Sequence, residues 1–255
     1  MGAKILSIVI LSVSGSTVVG VLCGSFFRKI PHRFNDVILG FAAGVMLAAS
    51  VLGLIEPAFS GEGRDLCLAI CGIAVGAGVI SFLDKIVPHL HRMAGLDSDS
   101  HTVDGSVSKT LLFVAAIALH KIPEGLATGV SFATDNVRDI LTVATSMSLQ
   151  NMPEAIVIVT PLLAIGISFA RVINISLVIA LVSALSVLAG YFIASFFSGF
   201  APFLLAAAGG AILYVVSDEM IPETHSHGYE KPATFALIAG LVMVVALQRF
   251  LDMMQ

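Results

Sequence analysis

The chain has 255 residues, 57% of them hydrophobic and only 12% charged, with a net charge of −4 at pH 7. Soluble domains run nearer ~45–50% apolar and ~25% charged, and here a mean hydropathy of +1.00 holds over the full length. Those figures exclude a soluble enzyme with one greasy anchor and a basic nucleic-acid binder, and point to lipid as the solvent.

A bilayer core requires about 20 apolar residues per helix. Runs of that length lie near 5–27, 36–58, 66–88, 110–133, 139–165, 172–196, 199–221 and 232–252. They predict an all-α integral membrane protein of eight transmembrane helices, a single domain over 1–255. The first run is too long for a signal-peptide core and shows no cleavage pattern, so it is read as a retained span. Most connections (RKIPHRFND, SGEGRD, TDNVRD, SFAR) leave room for little but turns, and the 221–232 segment could partly belong to the seventh helix. The longest, 89–109, is polar and expected to be a mobile cytoplasmic loop. Cys23, Cys67 and Cys71 all fall in apolar stretches and are expected to be small core residues. Cys67 and Cys71 lie one helical turn apart and could alternatively ligate a soft metal; an odd count argues against a disulfide framework.

Orientation follows from Lys and Arg. With the N-terminus outside, Arg28, Lys29, Arg33, Lys85, Arg92, Lys109, Arg171 and Lys231 are cytoplasmic, against Lys4, Arg64, Arg138 and Arg249 outside. The excess places both termini outside a cell membrane. Lys121 falls within the fourth span.

Ionisable groups at membrane depth are costly, at least ~2.5 kcal/mol each on insertion scales. They are nevertheless concentrated in one recurring pattern. The fourth span reads His120-Lys121-Ile122-Pro123-Glu124, the fifth Gln150-Asn151-Met152-Pro153-Glu154, and the seventh Glu219-Met220-Ile221-Pro222-Glu223. In each, a ligand-capable residue stands four positions before a glutamate, on the same helical face. Proline lacks an N–H, which frees the carbonyl four residues back, Leu119 or Leu149. Such backbone is tolerated in a membrane only where it is buried or lines a polar cavity. Two helices of this kind facing each other would enclose imidazole, carboxylates, an amide and free carbonyls, which is a cation site.

One imidazole with carboxylates suits zinc and its divalent neighbours, whereas an all-oxygen cage suits magnesium or calcium. The chemistry alone does not separate zinc from iron, manganese, cobalt or cadmium. An intramembrane metalloprotease would need H-E-x-x-H, which is absent. An organic-anion carrier would aim helix N-termini at its substrate, and facing carboxylates oppose that. No enzymatic activity and no resident cofactor are expected, only a transported ion.

HKIPEGLATG followed by QNMPEA resembles the paired signature of the ZIP (Zrt/Irt-like) divalent metal transporters, bacterial type, and the likeness extends over all eight spans. The resemblance implies that helices 1–3 and 6–8 are related repeats around helices 4 and 5, and that metal moves into the cytoplasm by a rocking or elevator-like motion. It implies a primary site of His120, Glu124 and Glu154, with Gln150 at its edge. Met46 matches a position where bacterial relatives place a thioether ligand; ordinary packing is the competing reading. The second, bridged site of the family maps to Lys121, Asn151 and Glu219. Lysine departs from the usual asparagine: an ammonium has three donors and no acceptor and cannot ligate. Lys121 is therefore expected to occupy the space of a second cation and pair with Glu154 or Glu219; snorkelling toward an interface is the alternative. Ser50, Glu56, Asp218 and Glu223 are candidates for the entry and exit routes. His225 and His227, with His89, His91 and His101, are candidate cytoplasmic metal-handling groups, while Asp97, Asp99 and Asp104 read as solvated loop charges. A homodimer is the oligomer considered.

Overall fold

The computed structural model describes residues 2–27, 30–86, 120–164 and 166–253, and among these residues every regular element is helical. Helix α1 is Gly2–Gly24. Helix α2 is His32–Ser50, which passes into a π-helical turn at Val51–Ile55 and a last turn at Glu56–Ala58. Helix α3 is Arg64–Ile86. Helix α4 is described over 120–130 and tightens into a 3-10 turn at Ser131–Thr134. Helix α5 is Val137–Ala164 and α6 is Phe169–Phe196. Helix α7 is Ala201–Val215, followed by a second π-helical turn at Val216–Met220 and a final turn at Ile221–Thr224. Helix α8 is Glu230–Met253.

The described parts of these helices fall on the eight apolar runs of the sequence. The second helix starts four residues before the expected 36, at His32, and α7 continues beyond 221 to Thr224. The start of the fourth span, and the loop 89–109 with His89, His91 and His101, lie outside the described residues. Among the described residues, six helices are long and apolar enough to cross a membrane: Ala3–Gly24, His32–Ala58, Arg64–Leu83, Phe169–Phe196, Ser198–Thr224 and Glu230–Met253. Helix α5 is long enough, but Gln150, Asn151 and Glu154 dilute its apolar character.

The turns between helices have local causes. Gly166 (φ 87°) and Gly228 (φ 83°) take the left-handed conformation that a side chain disfavours. Asp135 adopts it too, at φ 51°, a position Asp tolerates better than most residues. Asn136 then caps α5: its Oδ1 accepts the backbone N–H of Arg138 at 2.9 Å.

Packing is pairwise and close. Helix α2 lies along α8, α3 along α7, and α1 against both α5 and α6; α4 meets α6 where Gly125 and Gly129 face Ser186 and Val187. Glycines let these backbones touch: a Cβ on Gly44 would lie 1.9 Å from the Leu237 carbonyl oxygen, and one on Gly76 1.9 Å from that of Ala207. Small residues at helix contacts are how membrane helices gain van der Waals attraction, since lipid tails offer no hydrophobic drive. The main core joins Met46, Val143, Met147, Leu54, Ile212 and Val187. Leu11, Phe82, Leu181 and Phe235 point outward and are exposed, the pattern of a surface solvated by lipid. Cys67 and Cys71 share that outer surface of α3, which corrects the expectation of core cysteines. With helices hydrophobic on both faces, burial of a small residue is not legible from composition.

Both broken helices break at proline. Pro57 and Pro222 cannot donate to the carbonyls of Gly53 and Asp218, and in each case the preceding turn widens so that Glu56 N–H reaches the Val51 carbonyl and Ile221 N–H that of Val216. Helix α5, by contrast, runs through Pro153 as regular α-helix. Helix α1 lies directly against its backbone there, with Gly20 at Met152 and Gly24 at Ile156.

Candidate metal centre

The three predicted motifs converge. Lys121 of α4, 3% exposed, is the hub. Its Nζ donates to Glu124 Oε2 at 2.7 Å, to Asn151 Oδ1 at 2.8 Å, and to Glu154 Oε2. Of the two expected acidic partners, Glu154 is thus paired with Lys121 and Glu219 is not; the alternative of Lys121 snorkelling outward does not occur. Glu219, on the widened turn of α7, pairs instead with His120 Nε2. Asn151 is fixed from behind, its Nδ2 donating to the Val13 carbonyl of α1 at 3.0 Å.

The cluster is internally paired but keeps a net negative charge, three carboxylates against one ammonium and one imidazole. One ammonium faces two carboxylates on α4 and α5, and an imidazole faces a third carboxylate on α7. Lysine and glutamate at this depth are held because each charge meets an opposite charge and a hydrogen bond. His120 and Glu219 retain 29% and 28% side-chain exposure, against 4% for Lys121. The cluster therefore opens toward the end of the bundle where α7 ends.

Among the described residues no three His, Cys, Asp or Glu side chains are arranged to hold a metal; Lys121 holds Glu124 and Glu154, and Glu219 holds His120. The donor types, one imidazole with carboxylates and amides, still fit a borderline divalent cation.

The other candidates divide. Gln150 is fully buried and neither Oε1 nor Nε2 has a hydrogen-bond partner. Met46 is 1% exposed and packed in the apolar core. Ser50 is buried and donates to the Gly209 carbonyl at 3.2 Å. Glu56, Asp218 and Glu223 are exposed. His225 closes the end of α7, with Nδ1 against the Ile221 carbonyl at 2.8 Å and Nε2 on Thr234 Oγ1 at 3.1 Å. His227 stacks on His32 and places Nδ1 3.1 Å from Asp36 Oδ1. Asp36 was not legible beforehand: it lies in an apparently exposed connection, yet is fully buried. Thr142 and Ser146 were also missed, although their spacing of four to each other and to Gln150 was available.

A helical bundle with six membrane-length apolar helices and an ionic cluster in its interior is a multi-pass membrane protein. A family profile described as ZIP Zinc transporter matches residues 89–248. The chain is similar to Zinc transporter ZIPB of Bordetella bronchiseptica, 37% identical over 244 residues, covering 93% of this chain and 77% of that protein. It is also similar to Zinc transporter GufA of Myxococcus xanthus, 33% identical over 239 residues, covering 91% and 93%. Zinc transporter ZupT of Salmonella heidelberg is 30% identical over 129 residues, half of each chain. The chain belongs to the ZIP zinc transporter family.

Proposed function

We propose that this protein carries divalent transition-metal ions, zinc foremost, across the cell membrane into the cytoplasm, with both termini outside. Cadmium, iron and manganese are the competing substrates that the same donors would accept. The single observation that carries the reading is the meeting, inside the bundle and partly buried, of His120, Lys121, Glu124, Asn151, Glu154 and Glu219 on three helices in a chain of this family. As a carrier it breaks no covalent bond.

In this reading the primary ligands are His120, Glu124 and Glu154, with Gln150 at the edge and Met46 as a neighbour, and these groups pair with one another whenever no ion is bound. Loading turns His120 from Glu219 and shifts the Lys121 ammonium from between the two glutamates; Lys121 then stands in for a second ion. The matched pairings, α2 with α8 and α7 with α3, α1 with α5 and α6 with α4, together with the proline-broken ends of α2 and α7, support relating helices 1–3 to 6–8 as repeats. Broken helices near an ion site are a recurring device of transporters built that way. Ser50, Glu223, His225 and His227 belong to the ends of the route.

The test is zinc uptake by the purified protein in sealed vesicles, with cadmium, iron and manganese as competitors, repeated with His120→Ala and Glu154→Ala. Uptake by the parent and its loss in both variants is expected. A parent that moves no zinc, or variants that move it equally well, would remove the proposal.

A further inference from the structure

Three residues on one face of α5 are completely buried and hold four polar atoms with no hydrogen-bond partner: Thr142 Oγ1, Ser146 Oγ, Gln150 Oε1 and Gln150 Nε2. Buried polar groups are nearly always satisfied, so a run of exceptions demands a reason. Intrinsic hydroxyl behaviour does not supply it. On the same helix Ser148 donates to the Ala144 carbonyl at 2.8 Å and Thr160 to the Val157 carbonyl at 3.4 Å. Those hydroxyls fold back on their own helix, as Ser and Thr commonly do, whereas Thr142 and Ser146 do not.

The face they share has defined ends. Spaced 142, 146, 150, the residues form a row one turn apart, continued by Asp139 at one end and Glu154 at the other. Asp139 lines a cavity of about 360 Å³ with Glu56, Pro57, Thr134, Asn136 and Arg138, at the start of α5 beside the broken end of α2. Glu154 belongs to the ionic cluster, bound by Lys121. The row thus joins a cavity carrying carboxylates to the buried cluster, while the cluster's exposed side faces the opposite end.

We propose that Thr142, Ser146 and Gln150 are the track along which a partly hydrated divalent cation moves between the cavity at Asp139 and the His120–Glu154 cluster. The inference rests on the transport reading and adds a route to it. Here the track is closed, its oxygens buried and unmatched by any protein donor; opened to the cavity side, the same oxygens face water and the ion. Neutral hydroxyl and amide oxygens replace hydration waters without binding tightly, which a transit segment requires. The carboxylates stand at its two ends, where the ion is gathered and held.

The experiment uses the full chain in sealed vesicles, with Cys23, Cys67 and Cys71 replaced and single cysteines introduced as Thr142→Cys, Ser146→Cys and, as a control in a separate apolar cluster of α5, Val159→Cys. A water-borne, membrane-impermeant thiol reagent is expected to modify Ser146→Cys and Thr142→Cys but not Val159→Cys, with cadmium slowing the reaction. Separately, Ser146→Val is expected to lose most of its zinc uptake while the purified variant still binds zinc. Cysteines at 142 and 146 as inert as the one at 159, in protein that transports zinc, would overturn the track and leave the transport reading intact. So would full uptake by Ser146→Val. A parent protein that neither binds nor moves zinc would refute the transport reading and the track with it.

Discussion

Lys121 decides the character of the cluster. Its ammonium is enclosed by Glu124, Glu154 and Asn151 and almost excluded from solvent. Removing one partner of a buried ionic group costs roughly 3–5 kcal/mol because the remaining charges lose their compensation. Lys121→Ala should therefore lower the thermal stability of the metal-free protein by about that amount, and zinc should restore part of it, as read by unfolding in detergent with and without metal. Lys121→Asn makes a different prediction: asparagine can ligate through its carbonyl. The parent should bind one ion in the cluster and the variant two, by metal analysis of purified protein; two ions in the parent would end the idea of a tethered substitute. Protonation bears on the same residues. Carboxylate and neutral imidazole are the binding forms, so protons compete with the metal and binding releases them. Affinity should fall as pH is lowered from neutral to mildly acidic, measured by calorimetry in buffers of different ionisation enthalpy, and a flat profile would contradict this ligand set.

At the scale of elements, proline acts differently according to what lies beside it. Pro57 and Pro222 widen the turns before them, while Pro153 sits within the unbroken α-helix α5, which packs against α1. The widened turn of α7 carries Glu219 into contact with His120. Pro222→Ala restores an ordinary donor to the Asp218 carbonyl and lets the turn close to α-helical pitch, which rotates Glu219 away from His120. The variant should stay folded and lose uptake; undiminished uptake would show that the irregular turn is incidental. Gly44→Val tests packing. The new side chain would collide with the Leu237 carbonyl of α8, and the loss should appear as a reduced monodisperse fraction after solubilisation.

The whole molecule is held by helix pairs and by few surface charges. Arg138 joins the start of α5 to the end of α8 through Asp252 at 2.9 Å and also pairs with Asp139. A partly exposed pair of this kind contributes about 0.2–1 kcal/mol, so Asp252→Asn should shift stability little. Topology is the larger question at this scale. The Lys and Arg asymmetry predicts that a tag at the N-terminus and a tag in the 226–229 turn lie on opposite sides of the membrane. Protease protection in oriented vesicles reads this directly, and protection of both or neither would reverse the argument.

Much of the architecture was written in local chemistry. Eight apolar runs set eight helices, because a lipid-solvated backbone must satisfy itself segment by segment, and the repeated x-x-Pro-Glu spacing marked the residues that meet in the centre. What the row of letters could not contain is who faces whom. His120 and Glu124 share a helical face, yet His120 meets Glu219 and Lys121 bridges Glu124 to Glu154, because only the approach of α7 and α5 places Glu219 and Glu154 there. The burial of Asp36, the outward cysteines of α3 and the unmatched Thr142–Ser146–Gln150 row are likewise products of packing. Helical period and hydropathy are properties of a segment, and the chain fixes them by itself. Distance between segments belongs to the bundle, and only its tertiary structure decides which polar groups find a partner and which are left waiting for one.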